Sequence, residues 1–519
     1  MEQGTLAPLF AQTAEAGLGG LDLCVISVYL LGMLGVGIYY ARRTQNADDY
    51  LLGGRRMRPT AVGLSLFATL LSTITYLAIP GEIIRNGPIV LAFAAAFPLV
   101  YVLAGWFMIP RIMRLPVTSA YELLETRLGP HIRMLASLFF LAMRLVWMAV
   151  IISATVNAVL LPLLDLPSSS APWLCALLGL ITVAYTAMGG LRAVVLTDVI
   201  QSLILFGGAV LTVAIISVKL GGPGAWWPQS WPDHWMPPST GFAGFGSPQW
   251  AQENLFARMT FLSAAIYHFC WWICTASSDQ MAVQRYLATR DARGARRALL
   301  TTLLTDAIVY FLLAAVGLAL MAYFHASVDQ LEGGATANID ADSLFPQFIA
   351  AELPAGLSGL VIAGLLAAAM SSLSSGVNSA CSVVTADFAE PILKRQLEDQ
   401  ERIRLARRSA VAVGILVVAL TSLVSLVEGN LLEVAAKIVN LLTAPLFGLF
   451  FLAMFVRRAT PAGALIGTVC GLGVAVLVNF GKELTGHDGI SFVWAMPFAW
   501  TTQVVVATCA SLILARRRG

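Results

Sequence analysis

Thirteen stretches of mostly apolar residues, each long enough to form a membrane-crossing helix, succeed one another along this chain. They lie near 21–41, 59–84, 88–110, 132–162, 172–189, 193–218, 253–278, 298–324, 355–386, 408–428, 433–456, 461–480 and 491–515. About 20 such residues in a helix span the hydrocarbon of a bilayer. Lipid offers no partner for backbone polar groups, so the repetition restricts the fold to an all-α bundle. Composition agrees: 58% of residues are hydrophobic and 12% charged, against about 45–50% and about 25% in soluble domains. The segment before Leu21 has no basic region, and we read no cleaved leader there. All seven cysteines fall in apolar stretches and read as small buried hydrophobes. No zinc-like cluster, P-loop, nucleophile motif or nucleic-acid-binding pattern stands out.

Basic residues fix an expected orientation. With the N-terminus outside and thirteen crossings, 26 of the 32 lysines and arginines fall in loops on the C-terminal, cytoplasmic side. One helix miscounted early would destroy that asymmetry. The outer loop 219–252, rich in Trp and Pro, predicts an ordered interfacial segment, and 325–353 reads as an acidic solvated loop.

Four places break the apolar pattern, and intramembrane polar groups generally line a pathway or pair. Residues 65–81, SLFATLLSTITYLAIPG, cluster Ser72, Thr73 and Thr75 ahead of Pro80 and Gly81. Such a stretch can unwind and expose carbonyls to a cation; the plainer alternative is a packed helix with hydroxyls bonded back one turn. Residues 367–382, AAAMSSLSSGVNSACS, place Ser371, Ser372, Ser374 and Ser375 within about one turn. Neutral oxygens suit a hard monovalent ion, and a small-residue packing face is the alternative. Asp198 sits roughly 12 Å beyond a Gly-Gly turn at 1.5 Å per residue. It must be neutral, paired or bound to a cation, or held in a structural hydrogen bond. Arg144 lies mid-segment and needs an anion: a solute carboxylate, or Asp198 or Asp306. His268, the one histidine in a predicted span, reads as a hydrogen-bonded packing group.

The stretches GGLRAVVLTDVIQ (189–201), DQMAVQRYLATRDARGARRAL (279–299) and AAAMSSLSSGVNSA (367–380), in this order and spacing, resemble the sodium:solute symporter family over about residues 20–480. The resemblance implies a LeuT-type fold of two inverted five-helix repeats. They would occupy 59–218 and 253–456, after a tail and extra helix at 1–58 and before two helices at 457–519. Each repeat would open on a broken helix, the second broken around Phe269–Thr275. It also implies a sodium site of the Ala68, Leu71 and Ala368 carbonyls with the Ser371 and Ser372 hydroxyls. A second site would use Asp198, Ser374 and Ser375, and the Ser371 carbonyl. Solute would meet Ser72, Thr73, Thr75, Phe269 and Trp272, with Arg144 as a carboxylate clamp. STITYLAIPGEI is nearer the carboxylate and sialic-acid branches than the sugar branch.

The expected function is therefore sodium-coupled symport of a small organic solute, a carboxylate-bearing anion, by alternating access in a bacterial inner membrane. Sodium is the transported coupling ion, with no organic cofactor, and the partners are solute and lipid. A proton-coupled carrier that titrates Asp198, and a transporter-fold receptor without net transport, remain open. A channel would need a continuous polar lining and an enzyme a catalytic constellation; neither is legible. Oligomeric state is not legible either.

Overall fold

The computed structural model describes residues 18–114, 117–324, 341–395, 397–424, 431–486 and 489–516. Most of the acidic loop read at 325–353 lies outside them. The described residues are helical, without a strand. We label the principal helices α1 (Gly20–Ala41), α2 (Pro59–Leu70), α3 (Thr73–Asn86), α4 (Pro88–Ile112), α5 (Pro130–Leu163), α6 (Ala171–Lys219), α7 (Phe261–Ser278), α8 (Gln280–Leu287), α9 (Ala292–Tyr323), α10 (Leu357–Val383), α11 (Asp399–Val424), α12 (Leu431–Phe455), α13 (Pro461–Asn479) and α14 (Ala495–Arg516).

Among the described residues nine helices are long and apolar enough to cross a bilayer, or up to 11 if each of two bent pairs is one crossing. α6 counts once there although Gly190 interrupts it (φ 62°, ψ −162°), and α12 adds another. The expected thirteen is thus an approximate count. Gly190 is required at the break. Its φ lies in the left-handed region, and a Cβ would sit 2.6 Å from the Tyr50 carbonyl oxygen. Tyr50 seals this elbow, its hydroxyl donating to the Ala187 carbonyl (2.8 Å).

α10 is the axis of the bundle. The span that contains it is 94% buried, against 22% for α1. α6 packs along it, its second arm antiparallel: Asp198 meets Ser375 while Gly208 meets Val361. Large apolar side chains such as Val28, Leu31, Leu203, Ile415 and Val469 are exposed on the outside of the bundle, where lipid replaces water. The loop 219–252 is ordered as expected. Trp235 is buried and donates its indole N–H to the Ile84 carbonyl at the end of α3 (3.2 Å).

Two breaks shape the interior. α2 and α3 meet at a 68° bend. Leu71 and Ser72 between them are extended, and the Ser72 hydroxyl caps α3 by accepting from the Thr75 N–H (3.4 Å). The unwinding expected near Ser72 is real. The second break is not where it was expected. Phe269–Thr275 is continuous helix within α7. The chain leaves helical geometry instead at Asp279 (φ −75°, ψ 127°), between α7 and α8, and bends by 56° at the entrance to α7. Asp279 caps α8 through the Met281 N–H (2.8 Å), which stabilises the break there rather than among the apolar residues upstream.

Candidate ion and solute site

The break after α2 leaves carbonyls without helical partners, and α10 brings hydroxyls to them. Ser371 donates to the Ala68 carbonyl (2.7 Å) and the Ala368 carbonyl (3.1 Å). Ser372 donates to the Leu71 carbonyl (3.4 Å) and the Thr69 carbonyl (2.9 Å). All five groups expected at the main sodium site thus converge, and both serines are buried. The cluster is five neutral oxygens from two helices. Among the described residues no group of three or more His, Cys, Asp or Glu is placed to hold a metal. A hard monovalent cation suits such a donor set better than a transition metal does.

Beside it lies Asp198, whose partner is Arg285. The guanidinium Nη2 is 3.0 Å from Asp198 Oδ2 and 2.5 Å from Ser375 Oγ. Its Nε donates to Ser65 (2.9 Å), and Ser65 donates in turn to Asp198 (2.5 Å). Both charged side chains are wholly buried. Arg285 is one of the 26 basic residues that the expected topology puts in cytoplasmic loops, together with Arg290, Arg293, Arg296 and Arg297. The available signal was its position five residues beyond Gln280 and one beyond Gln284, a polar face on a short helix. Asp198 Oδ1 remains buried without a hydrogen-bond partner. Ser374, the other second-site hydroxyl, donates to the Ser371 carbonyl (3.1 Å).

A cavity opens between the two breaks, lined by Leu70, Leu71 and Thr75 from the first and Tyr267, His268 and Trp271 from α7. Phe93, Trp147, Asp306, Tyr310 and Val439 complete it. Thr75 is the one expected solute contact on this wall. Ser72 is spent on the α3 cap, and Thr73 donates to the Leu365 carbonyl of α10 (2.9 Å). Phe269 packs in the apolar core and Trp272 stands edge-on to Phe97. The face of α7 turned to the cavity lies one helical position away from the one expected. His268 is no hydrogen-bonded packing group: it stacks between Phe93 (centroids 4.5 Å) and Trp271 (5.5 Å), with Nε2 unpartnered.

Arg144 is not on this wall. Its guanidinium pairs directly with Asp279 and lies over Phe140. Neither Asp198 nor Asp306 is its partner. The pair fastens α5 to the α7–α8 break, and among the described residues no arginine or lysine lines the cavity.

Two discontinuous helices, a clasp of hydroxyls and carbonyls at the first and a cavity beside that clasp define a multi-pass secondary transporter. The sodium:solute symporter family's sequence profile matches residues 50–471, and the chain belongs to that family: it is a sodium-coupled symporter, not an enzyme, with a LeuT-type fold. It is 32% identical to a sodium/sialic acid symporter of Proteus mirabilis, over 90% of this chain and 91% of that one. Identity is 30% to a sodium-dependent multivitamin transporter of Oryctolagus cuniculus, over 90% and 71%. It is 28% to the human sodium-coupled monocarboxylate transporter 1, over 89% and 74%. A solved substrate-bound, outward-open Na⁺-coupled sialic acid symporter superposes with a TM-score of 0.79 at 29% identity, covering 95% of this chain and 98% of that one.

Proposed function

We propose that the chain carries a carboxylate-bearing organic solute inward with sodium, by alternating access. The observation that carries this reading is the meeting of the Ser371 and Ser372 hydroxyls with the Ala68, Leu71 and Ala368 carbonyls across the α2 break. Sodium there would join α2 to α10, favour the outward-open form and set the N-terminus of α3 facing the cavity. That terminus, Ser72–Thr75, is the positive end of a helix dipole and takes the place of Arg144 as the seat for a carboxylate. The similarity to sialic acid, multivitamin and monocarboxylate transporters supports a carboxylate.

A second sodium would use Asp198 Oδ1, Ser374 and the Ser371 carbonyl. Oδ1 is free for it, and the neighbouring Arg285 charge makes that site the weaker of the two. The inverted repeats would run 59–218 and 253–456. The excess of basic residues supports an N-terminus outside and a C-terminus in the cytoplasm, and the similarity to a bacterial symporter supports a bacterial inner membrane.

Uptake into proteoliposomes tests the reading, with and without an inward sodium gradient, for acetate, pyruvate, lactate, pantothenate, sialic acid, proline and galactose. Sodium-driven uptake of a carboxylate, lost in Ser372→Ala, is the expected result. Uptake of galactose alone would sink the carboxylate, and uptake indifferent to sodium would sink the coupling.

A further inference from the structure

Eight carboxylates among the described residues are buried. Seven have a charged or hydrogen-bonding partner. Asp22 accepts from the N–H groups of Gly19, Gly356 and Gly359 and from Ser358. Asp49 pairs with Arg192, Glu82 with Arg258, Asp198 with Arg285, Asp279 with Arg144, Asp342 with Arg85 and Asp387 with Arg133. Asp306 differs. It is 7% exposed, forms no ion pair, and faces the solute cavity. The Trp272 indole N–H lies beside it at the margin of hydrogen-bond reach, a neutral partner that brings no positive charge. His268, on the same wall, is held by stacking and makes no ion pair with it. A lone carboxylate in a membrane interior is costly unless something compensates it. Here the surroundings are aromatic: Phe93, Trp147, Tyr267, Trp271 and Tyr310 line the same cavity, and the Phe93 ring centroid lies 5.9 Å from that of Tyr267 and 6.0 Å from that of Tyr310.

We propose that the transported solute carries a cationic nitrogen in addition to its carboxylate, and that Asp306 receives that nitrogen inside the aromatic box. The proposal rests on the symport reading above and names its substrate class as a zwitterion. A substituted ammonium satisfies both components of the wall, since alkyl groups spread its charge over the π faces while the carboxylate of Asp306 supplies the counter-charge. The solute's own carboxylate then points the other way, to the α3 N-terminus. An empty carrier keeps no internal cation on Asp306 because the solute brings one in each cycle and removes it.

Isosteric pairs test this in proteoliposomes of the full-length protein: glycine betaine against 3,3-dimethylbutanoate, and L-proline against cyclopentanecarboxylate. Each pair differs in the charged nitrogen alone. The nitrogen-bearing member should enter, or compete for entry, at least about tenfold better in one pair. Asp306→Asn should erase that preference while keeping the Ser372-dependent stabilisation by sodium, with Asp306→Glu restoring part of the preference. Equal handling of both members, preference for the uncharged one, or no response to any of the four in protein that sodium still stabilises would overturn the proposal. So would proton-driven uptake that Asp306→Asn abolishes, which would make Asp306 a proton site. Loss of the sodium effect from the unmodified protein would instead overturn the symport reading beneath it.

Discussion

Ser65 bridges Arg285 and Asp198: it takes an N–H from the guanidinium at 2.9 Å and gives its own proton to the carboxylate at 2.5 Å. With Ser375 the group ties α2, α6, α8 and α10 at one buried point. Removing one partner of a buried pair leaves an uncompensated charge, typically at about 3–5 kcal/mol. Arg285→Gln should therefore lower unfolding stability by about that amount, and adding Asp198→Asn should recover much of it. Denaturant titration of the purified single and double variants gives the coupling. Simple additivity of the two losses would mean that the residues do not act as a pair.

The sodium clasp predicts a separable effect. Ser372→Ala removes one neutral hydroxyl from the proposed shell of a charged ion, worth about 1.5–3 kcal/mol. The sodium concentration for half-maximal thermal stabilisation should rise roughly 10- to 100-fold. Potassium should not stabilise either protein to the same extent. An unchanged midpoint in Ser372→Ala would place the ion elsewhere.

Arg144 offers a contrast with that site. Because it pairs with Asp279 away from the cavity wall, Arg144→Met should cost about 3–5 kcal/mol of stability. Whatever protein still folds should retain its solute affinity within about threefold, which is less than 1 kcal/mol. Equilibrium solute binding to folded Arg144→Met, set beside its melting curve, separates the two. Intact stability with lost affinity would reinstate a carboxylate clamp.

How much of this the sequence contained depends on the kind of signal. Four serines in five residues are more than a packing face requires, and hydroxyls clustered in an apolar run betray an unwound turn, so the oxygens proposed for sodium were legible. The cavity wall was not. Tyr267, His268 and Trp271 differ from Phe269 and Trp272 by about one residue, a rotation of roughly 100° on a helix, and all five look like packing aromatics. The rotation is fixed by tertiary packing, and the position of the break by the Asp279 cap and its salt bridge to a helix 135 residues earlier. Arg285 was hidden for another reason: charge in a run of arginines reads as solvated, and its burial depends on Asp198 and Ser65, which only tertiary structure brings near.

The elbow in α6 makes a backbone prediction. Gly190→Ala forces a left-handed φ on an L-residue and drives its Cβ onto the Tyr50 carbonyl. The cost should exceed about 1 kcal/mol. Gly207→Ala on the same helix meets nothing within 4 Å and should lie within about 1 kcal/mol of neutral. Thermal unfolding of the two variants side by side checks this. Equal melting points would show that the elbow tolerates a side chain.

One surface pair gives a pH dependence. Partial burial pushes the Glu352 carboxyl up, but Lys219 and Tyr323 outweigh it and hold the group below its ordinary value. A depressed folded value means the contribution is present above the unfolded carboxylate range and fades as pH falls through the folded one. Both side chains are partly exposed, so screening limits it to less than about 1 kcal/mol. The difference in melting temperature between Lys219→Met and unmodified protein should be measurable at pH 7 and vanish in strong acid. A difference that persists there would assign it to packing of the lysine stem.

The clasp at the α2 break has a consequence for turnover. The Ala68 and Leu71 carbonyls that would face sodium are the same ones that accept from Ser371 and Ser372. If sodium binds there as proposed, its departure would let each hydroxyl proton turn to a carbonyl the ion had faced, and its arrival would turn the proton out. The seam between the two helices would then be self-healing. Ion exit would not have to wait for water to reach the interior, and the empty carrier could return without holding open a wound in its own core.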